Sequence, residues 1–363
     1  MIKGKGWQKS MSCDKIEFLN EFSEEYEAFV QKSGTGHLFQ SYYWHLVKNN
    51  WKWDVIILRD DAGIRASLSV LTRKVPMTPY TMMYAPRGPV FRDDGDYEAL
   101  ELLKDGIKTL GKKNKAYVLK VDPDIPDSDE KFISTMKKIG FRQLPEALAF
   151  EHIQAQHVVR LNIKDKTEEE ILNSFKSKTR YNVRLAMRHG VEAVRCGREK
   201  IDDFYNLMKT TGERDGFVIR SKEYLLRIYD SLGEHASMII AYHDGVPLAG
   251  GIFGSYGPVA LYLYGASSNE NRNLMGPYLM QWEAIRFAKE RGAEIYDFRG
   301  VPKNGEENEH VGGLYRFKIG FCPEVTHFCG EFDYVFKPLA YKMVDVLTPL
   351  WKKLRNLLAK LRK

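Results

Sequence analysis

The sequence contains few cysteines, and their positions suggest neither a disulfide framework nor a metal site. The four are Cys13, Cys196, Cys322 and Cys329, and none forms a CxxC pair or has a histidine at metal-ligand spacing. His327 lies between the last two, a position that we attribute to chance. This usage is typical of a protein in a reducing compartment. We therefore expect free thiols and no metal ligands.

Long apolar runs are also missing. No segment of 18 apolar residues occurs, and the N-terminal MIKGKGWQKSMSCDK lacks the apolar centre of a signal peptide. These absences predict a cytoplasmic protein. A chain of 363 residues is long enough for two domains, each with a large core.

Positive charge is in modest excess, with 55 Lys and Arg against 48 Asp and Glu, a net charge of +7. Residues 174–190, SFKSKTRYNVRLAMRHG, contain five basic residues and no acid. This pattern indicates either a solvated helix face or a surface for a phosphate-rich partner such as nucleic acid.

Residues 350–363, LWKKLRNLLAKLRK, combine six basic residues with a leucine stripe. Such a helix would dock on the protein core or lie on an anionic membrane surface.

The clearest local unit spans residues 258–300. Residues 259–265 are aromatic and aliphatic, which is typical of a buried strand. Apolar residues then recur at helical spacing up to Gly292, and residues 295–298 predict a second strand. A strand, crossover helix and strand of this length form a βαβ unit with parallel strands.

The same order of elements is predicted twice along the chain. Each half contains a hairpin, a strand, a helix and a strand, in that order. In the first half these elements are predicted at residues 55–72, 82–85, 97–112 and 116–121. In the second half they are predicted at residues 237–254, at 259–265, in the crossover helix and at 295–298. We predict an α/β (α+β) chain built by internal duplication. This order is similar to the GNAT acyltransferase fold. Domain 1 would cover residues 1–157, with 331–363 packing back on it, and domain 2 residues 158–330.

Other segments give simpler predictions. We expect a helix over residues 16–31, a helix capped by Ser41, one long basic helix over residues 167–190, and a helix beginning at Ser221 after a break at Gly216.

Two patterns indicate ligand contacts. Asp122 follows the strand at residues 116–121, and ligands bind at the carboxyl ends of such strands, although an Asp before Pro also forms turns. Arg220 precedes the helix that begins at Ser221, whose free N–H groups could help it hold an anion. Lys48 emerges one turn beyond Trp44, where a solvated lysine is the simpler interpretation.

Six motifs in chain order resemble those of the FemABX family of peptidoglycan cross-bridge aminoacyltransferases, in particular the FemX type. They are FQS at 39–41 with Trp44 and Lys48, DPD at 122–124, KTRYNVR at 178–184, Arg220 with Tyr224, YLYGAS at 262–267 and YRFK at 315–318.

The resemblance implies two GNAT-like domains and transfer of an amino acid from aminoacyl-tRNA to an amine on the stem peptide of a peptidoglycan precursor. The acceptor would be UDP-MurNAc-pentapeptide or a lipid-linked precursor. The resemblance implies that Lys48 and Arg220 bind the diphosphate of the precursor. Tyr224, Tyr264 and Tyr262 are also implied to bind the precursor. Asp122 would lie near the acceptor peptide, and Phe317 and Lys318 at the donor end, where Lys318 stabilises the oxyanion.

The sequence departs from the family in one respect and from GNAT enzymes in another. No long heptad helices occur between Gly190 and Ser237, so we expect no coiled-coil arm. Residues 272–277, RNLMGP, only approximate the loop that binds the pyrophosphate of coenzyme A, so we expect no cofactor.

The alternatives to an aminoacyltransferase are an acyl-CoA-dependent N-acyltransferase and a non-catalytic precursor-binding or membrane-binding protein. We also expect a monomer, with peripheral contact to the inner face of the plasma membrane through residues 350–363.

Overall fold

The structure is a computed structural model that describes residues 14–147, 152–303 and 309–344. Its helices are α1 Glu24–Lys32, α2 Tyr42–Val47, α3 Tyr97–Lys113, α4 Glu130–Lys138, α5 Glu168–Ser174, α6 Ser177–Arg188, α7 Ile201–Asp215, α8 Lys222–Leu232, α9 Gly276–Glu290 and α10 Glu309–Phe321. Its strands are β1 Lys15–Leu19, β2 Lys52–Asp60, β3 Gly63–Lys74, β4 Thr81–Arg87, β5 Val90–Phe91, β6 Ala116–Pro123, β7 Arg142–Gln143, β8 His157–Asn162, β9 Glu192–Cys196, β10 Ala236–His243, β11 Val246–Tyr256, β12 Val259–Ser267, β13 Ile295–Gly300, β14 Val325–His327 and β15 Phe332–Val335.

The strands form two mixed sheets. The first has the order β1-β2-β3-β4-β6-β15-β7, with β5 paired to β3, and the second has the order β14-β8-β13-β12-β11-β10-β9. Each sheet contains one parallel pair, β4 with β6 and β12 with β13. The predicted hairpin, strand, helix and strand are confirmed in both halves, as is the parallel pairing on either side of a crossover helix.

Two local predictions were wrong. Residues 15–19 do not join the first helix, because they pair with β2 from Lys15 with Arg59 to Leu19 with Val55, and α1 begins only after the Ser23 cap. Sheet pairing outweighs a weak helical pattern in so short a segment.

The long basic helix of residues 167–190 is instead two helices, α5 and α6. Phe175 takes an extended conformation between them and packs against Trp282 and Phe321, with ring centroids 5.8 and 5.1 Å apart. Burying this ring in the core of the second sheet is not compatible with a continuous helix at that point.

The chain returns to the first sheet near its end. Strand β15 pairs with β6 and β7, and Lys120 on β6 donates to Asp333 at 2.8 and 2.9 Å and to Glu331 at 2.9 Å. The predicted division between residues 157 and 158 lies within one residue of the start of β8, where the chain enters the second sheet, and we propose it on that basis. The predicted basic helix of residues 350–363 lies outside the described residues.

A shared apolar core joins the two sheets. It contains side chains from α1 and α2, such as Val30 and Trp44, together with side chains from α7 and α8, such as Phe204 and Leu225. Polar contacts reinforce it, because the Tyr256 hydroxyl donates to the buried Glu27 carboxylate at 2.5 Å. Within the described residues, no helix has the length and apolar character required to cross a membrane.

Candidate active site

The two parallel strand pairs differ in the length over which their strands are hydrogen-bonded. Strands β4 and β6 pair from Thr81 with Ala116 to Arg87 with Pro123. Strands β12 and β13 pair only as far as Leu261 with Asp297, although β12 continues to Ser267 and β13 to Gly300. The second sheet therefore opens at the carboxyl ends of its parallel strands, the usual place for a ligand in an α/β sheet.

Three cations meet at the aromatic ring of Tyr224, where α2 of the first half reaches α8 of the second. The Lys48 ammonium donates to the Tyr224 hydroxyl at 2.6 Å and lies 4.9 Å from the Trp44 ring centroid. The guanidinium carbons of Arg220 and Arg227 each lie 5.4 Å from the Tyr224 centroid. We call Lys48, Arg220, Arg227 and Tyr224 the cationic cluster.

The cationic cluster has more positive charge than its surroundings neutralise. Among the described residues, none of its three cations forms an ion pair with a carboxylate, and the buried Nε of Arg227 has no hydrogen-bond partner. Burial lowers the pKa of Lys48, and Arg220 and Arg227 lower it further, against the opposing effect of Tyr264. Unpaired cations held close together by an aromatic ring are suited to bind an anion.

The two predicted tyrosines of β12 lie in different places. Tyr264 joins the cationic cluster, with its ring centroid 6.4 Å from that of Tyr224 in an edge-to-face arrangement. A bulge in the pairing of β11 with β12 separates it from Tyr262, which stacks on Phe253 in the core of the second sheet. Burial raises the pKa of Tyr262 to about 12. A ligand contact by Tyr262 stays a prediction.

Asp122 lies at the end of β6, in a small cleft lined also by Arg87, Gln154 and Glu331. Its carboxylate accepts from the Tyr84 hydroxyl at 2.6 Å and from the Arg87 backbone N–H at 2.8 Å. Burial raises its pKa to about 6, although Arg87 and these hydrogen bonds favour the ionised form. A carboxyl group with this pKa can accept a proton near neutral pH.

An ion-pair network connects Asp124, which directly follows β6, to the second sheet. Arg160 on β8 donates to both oxygens of Asp124, at 2.8 and 2.5 Å, and to Asp297 on β13 at 3.1 Å. Burial opposes ionisation of Asp124, but Arg160 holds its pKa below the ordinary value. The network links the carboxyl ends of β6 and β13, which come from different sheets.

Lys318 lies on α10 beside the open end of β13. Its side chain is 5% exposed, and its ammonium donates to the Gly300 carbonyl at 2.8 Å. Burial lowers its pKa to about 7; Asp297 opposes this shift and Arg299 adds to it. Phe317 turns the other way and packs edge-to-face on Tyr278, with centroids 5.1 Å apart.

Sequence reasoning missed two arginines, of which Arg87 is buried and Arg299 is partly buried. Arg87 is 1% exposed, and both Arg87 and Arg299 have positive φ angles, 59° and 66°. Arg87 Nε and one terminal nitrogen of Arg299 are buried without hydrogen-bond partners. Left-handed conformations at residues other than glycine mark constrained backbone. The positive charge of Arg87 lowers the pKa of Asp122, and that of Arg299 lowers the pKa of Lys318.

Aromatic rings connect the two groups of residues. The Arg299 guanidinium lies 5.0 Å from the Phe39 centroid, Phe39 lies 4.2 Å from Trp44, and Lys48 lies 4.9 Å from Trp44. A continuous row of ring and cation contacts therefore runs from the cationic cluster to Arg299, at the junction between the two halves of the chain.

Comparison with known proteins identifies the family. A family model described as the FemAB family matches residues 22–245 and 242–348. The chain belongs to the FemAB family. Two similar relatives are lipid II:glycine glycyltransferases from Staphylococcus haemolyticus (strain JCSC1435) and Staphylococcus aureus (strain MRSA252). Each is 30% identical over 92% of this chain and 96% of its own length.

A solved structure also supports the fold assignment. The crystal structure of FemX has a TM-score of 0.84 and 29% identity, over 90% of this chain and 99% of that one. The predicted two-part GNAT-like fold is confirmed. In residues 190–237, all of which are described, the elements are β9, α7, α8, short 3₁₀ turns and the first two residues of β10, so no coiled-coil arm interrupts this segment.

Proposed function

We propose that this protein is an aminoacyltransferase of peptidoglycan cross-bridge synthesis, acting at the inner face of the plasma membrane. It would transfer an amino acid from aminoacyl-tRNA to an amine on the stem peptide of a lipid-linked precursor. The names of the relatives make glycine and lipid II the first substrates to test. A soluble UDP-linked precursor carries the same diphosphate and is the second acceptor to test.

The observation that carries this proposal is the position of Lys318. Its ammonium is buried at the open end of β13, beside the splayed parallel strands where GNAT-like folds join donor and acceptor. An ammonium in a water-excluded site stabilises the negative charge that develops on the carbonyl oxygen when an amine attacks an ester. With a pKa of about 7, Lys318 is protonated in part of the molecules at neutral pH.

Asp122 would serve the acceptor. In the transfer step, the amine nitrogen forms a bond to the ester carbonyl carbon, and the bond from that carbon to the ribose oxygen breaks. The amine loses a proton to Asp122, and the same proton returns through the neighbouring ribose hydroxyl to the departing ribose oxygen, so Asp122 is ionised again at the end of the step. The pKa of Asp122, about 6, lets its carboxylate accept the proton at neutral pH.

The cationic cluster would hold the precursor by its diphosphate. Lys48 comes from the first half and Arg220 and Arg227 from the second, so binding a diphosphate would also fix the two halves relative to each other. Charge-assisted hydrogen bonds to phosphate would satisfy the unpartnered Arg227 Nε.

Direct transfer is favoured over a covalent intermediate on cysteine. The described cysteines, Cys196, Cys322 and Cys329, are buried free thiols. Burial raises the pKa of each thiol, so little reactive thiolate is present at neutral pH.

The test is to incubate the purified protein with labelled glycyl-tRNA and lipid II and to measure label in the precursor. Label is expected in lipid II, and none should be transferred from an acyl-CoA. Transfer from acyl-CoA without tRNA would favour the N-acyltransferase alternative. Tight binding of lipid II without transfer from any aminoacyl-tRNA would favour a binding protein.

A further inference from the structure

Helix α6 has one face in the core and a basic face in solvent. Thr179, Asn182, Val183 and Ala186 are buried. The opposite side carries exposed residues at helical spacing, with Tyr181 55% exposed. We define the basic face as Lys178, Tyr181, Arg184 and Arg188.

The cations of the basic face are not neutralised by neighbouring side chains. Within the described part of the chain, Lys178, Arg184 and Arg188 form no ion pair, and α6 itself contains no acid. Arg188 instead lies over the Tyr181 ring, 5.6 Å from its centroid. Arg184 and Arg188 are also four residues apart, where like charges repel and destabilise an isolated helix. A helix kept only for solubility would gain by having acids at such positions.

Helix α6 packs directly against the helix that carries Lys318. The Lys176 backbone N–H donates to the Gly320 carbonyl at 2.9 Å. A Cβ atom at Gly320 would lie only 2.2 Å from the Thr179 hydroxyl oxygen, so α6 and α10 approach closely at this point. The basic face lies on the other side of α6 from this contact, one helix diameter (roughly 10 Å) from the helix that carries Lys318.

We propose that the basic face binds the phosphate backbone of the acceptor stem of the aminoacyl-tRNA; this inference rests on the proposed function. Phosphates of an RNA duplex complement a row of unpaired cations, and the exposed Tyr181 ring offers a stacking surface beside them. A membrane surface fits less well, because a helix lying on lipid turns its apolar side outward, whereas the apolar side of α6 faces the core.

The experiment compares the unaltered protein with R184Q/R188Q and with the control K112Q/K137Q. Lys112 and Lys137 are exposed lysines near the ends of α3 and α4, beside the first sheet. Binding of deacylated tRNA is measured at several salt concentrations. Loss of two phosphate contacts should weaken tRNA binding at least about tenfold. It should also reduce the slope of the logarithm of the binding constant against the logarithm of the salt concentration by about 1.8. The control should keep both values.

Kinetics gives a second readout. The KM for aminoacyl-tRNA should rise in R184Q/R188Q, while transfer at saturating donor should stay at the level of the unaltered protein, because the basic face does not touch the reacting atoms. All four substituted residues are exposed, so thermal unfolding should be unchanged.

The outcomes separate this inference from the proposed function. If the unaltered protein transfers from aminoacyl-tRNA but R184Q/R188Q keeps its tRNA affinity and salt slope, the assignment of the basic face is overturned and the function stands. If R184Q/R188Q loses only binding to anionic vesicles, the face is a membrane surface and the assignment is again overturned. If the unaltered protein neither binds tRNA nor uses it, both proposals fail.

Discussion

At the scale of single residues, burial brings the pKa values of two candidate catalytic groups close together. It raises that of Asp122 to about 6 and lowers that of Lys318 to about 7. The pKa values of a carboxylate and an ammonium in water would differ by about six. Both groups can therefore change protonation in the neutral range, which suits a reaction that moves protons at that pH.

The first prediction concerns the pH dependence of kcat/KM for aminoacyl-tRNA at saturating precursor. The value should rise as pH passes about 6, because Asp122 must be ionised to accept a proton. It should fall as pH passes about 7, because Lys318 must be protonated to stabilise the oxyanion. The Asp122→Asn variant should have low activity, and the pH profile of that activity should lack the rise near pH 6. A flat profile from about pH 5 to 8 would contradict these roles.

The second prediction concerns the cationic cluster. Lys48→Ala, Arg220→Ala and Arg227→Ala should each weaken binding of a UDP-linked precursor by about 1.5–3 kcal/mol, the scale of a lost charge-assisted hydrogen bond. Arg198→Ala is a matched control, because Arg198 is an exposed arginine of the same half that pairs with Asp230 at 3.3 Å. Titration calorimetry measures the affinities. Three variants that bind as the control does would disprove a diphosphate site here.

The residues of the site were predictable to different degrees. Lys48 and Tyr224 are 176 positions apart, and only the family resemblance predicted that they would act together. Arg227 was missed, although it lies one helical turn beyond Tyr224, and helical spacing alone could have identified it. Arg87 and Arg299 could not have been found from sequence, because no local pattern there indicates a left-handed backbone at a residue other than glycine.

At the scale of elements, patterns with strong local signals were predicted correctly. The Ser41 and Ser221 side chains cap α2 and α8, and Gly216 ends α7 with a φ of 70°. Prediction failed where a tertiary contact decides the structure. Residues 15–19 form a strand because β2 provides the pairing edge, and Phe175 separates α5 from α6 because its ring is buried.

The third prediction tests how the return segment is attached. Lys120→Met would leave Glu331 and Asp333 buried without their cation, so the free energy of unfolding should fall by about 3–5 kcal/mol. Urea unfolding measures the loss. The combined variant Lys120→Met, Glu331→Gln, Asp333→Asn removes the charges together and should recover much of the stability. A loss below about 1 kcal/mol in Lys120→Met would mean that the ion pairs do not hold β15 in place.

At the scale of the whole molecule, the structure explains why one site would use both halves of the chain. The apolar core that contains Trp44 and Leu225 fixes α2 against α8, and the Arg160 network connects β6 with β13. Duplication therefore gives two similar frameworks, of which only the second opens between its parallel strands. The sequence predicted the duplication but not this difference, which depends on the register of β12 and β13.

The fourth prediction concerns the C-terminal residues 350–363, which combine six basic residues with leucines. We expect them to add affinity for anionic membranes by charge and apolar burial. Co-sedimentation with anionic vesicles should decrease with salt and should decrease on truncation after Thr348, whereas neutral vesicles should bind weakly in both cases. If the truncated protein co-sediments like the full chain, the segment does not contribute to membrane binding.

The central claim is that this protein catalyses transfer and that Lys318 stabilises the oxyanion. The most direct test is single-turnover transfer from aminoacyl-tRNA at saturating precursor, with Lys337→Ala as a control at an exposed lysine. Lys318→Ala should keep precursor binding and slow transfer by about 10²–10³, the effect of losing one oxyanion donor, and Lys318→Arg should restore little of it. A Lys318→Ala rate within about threefold of the unaltered protein would contradict this account.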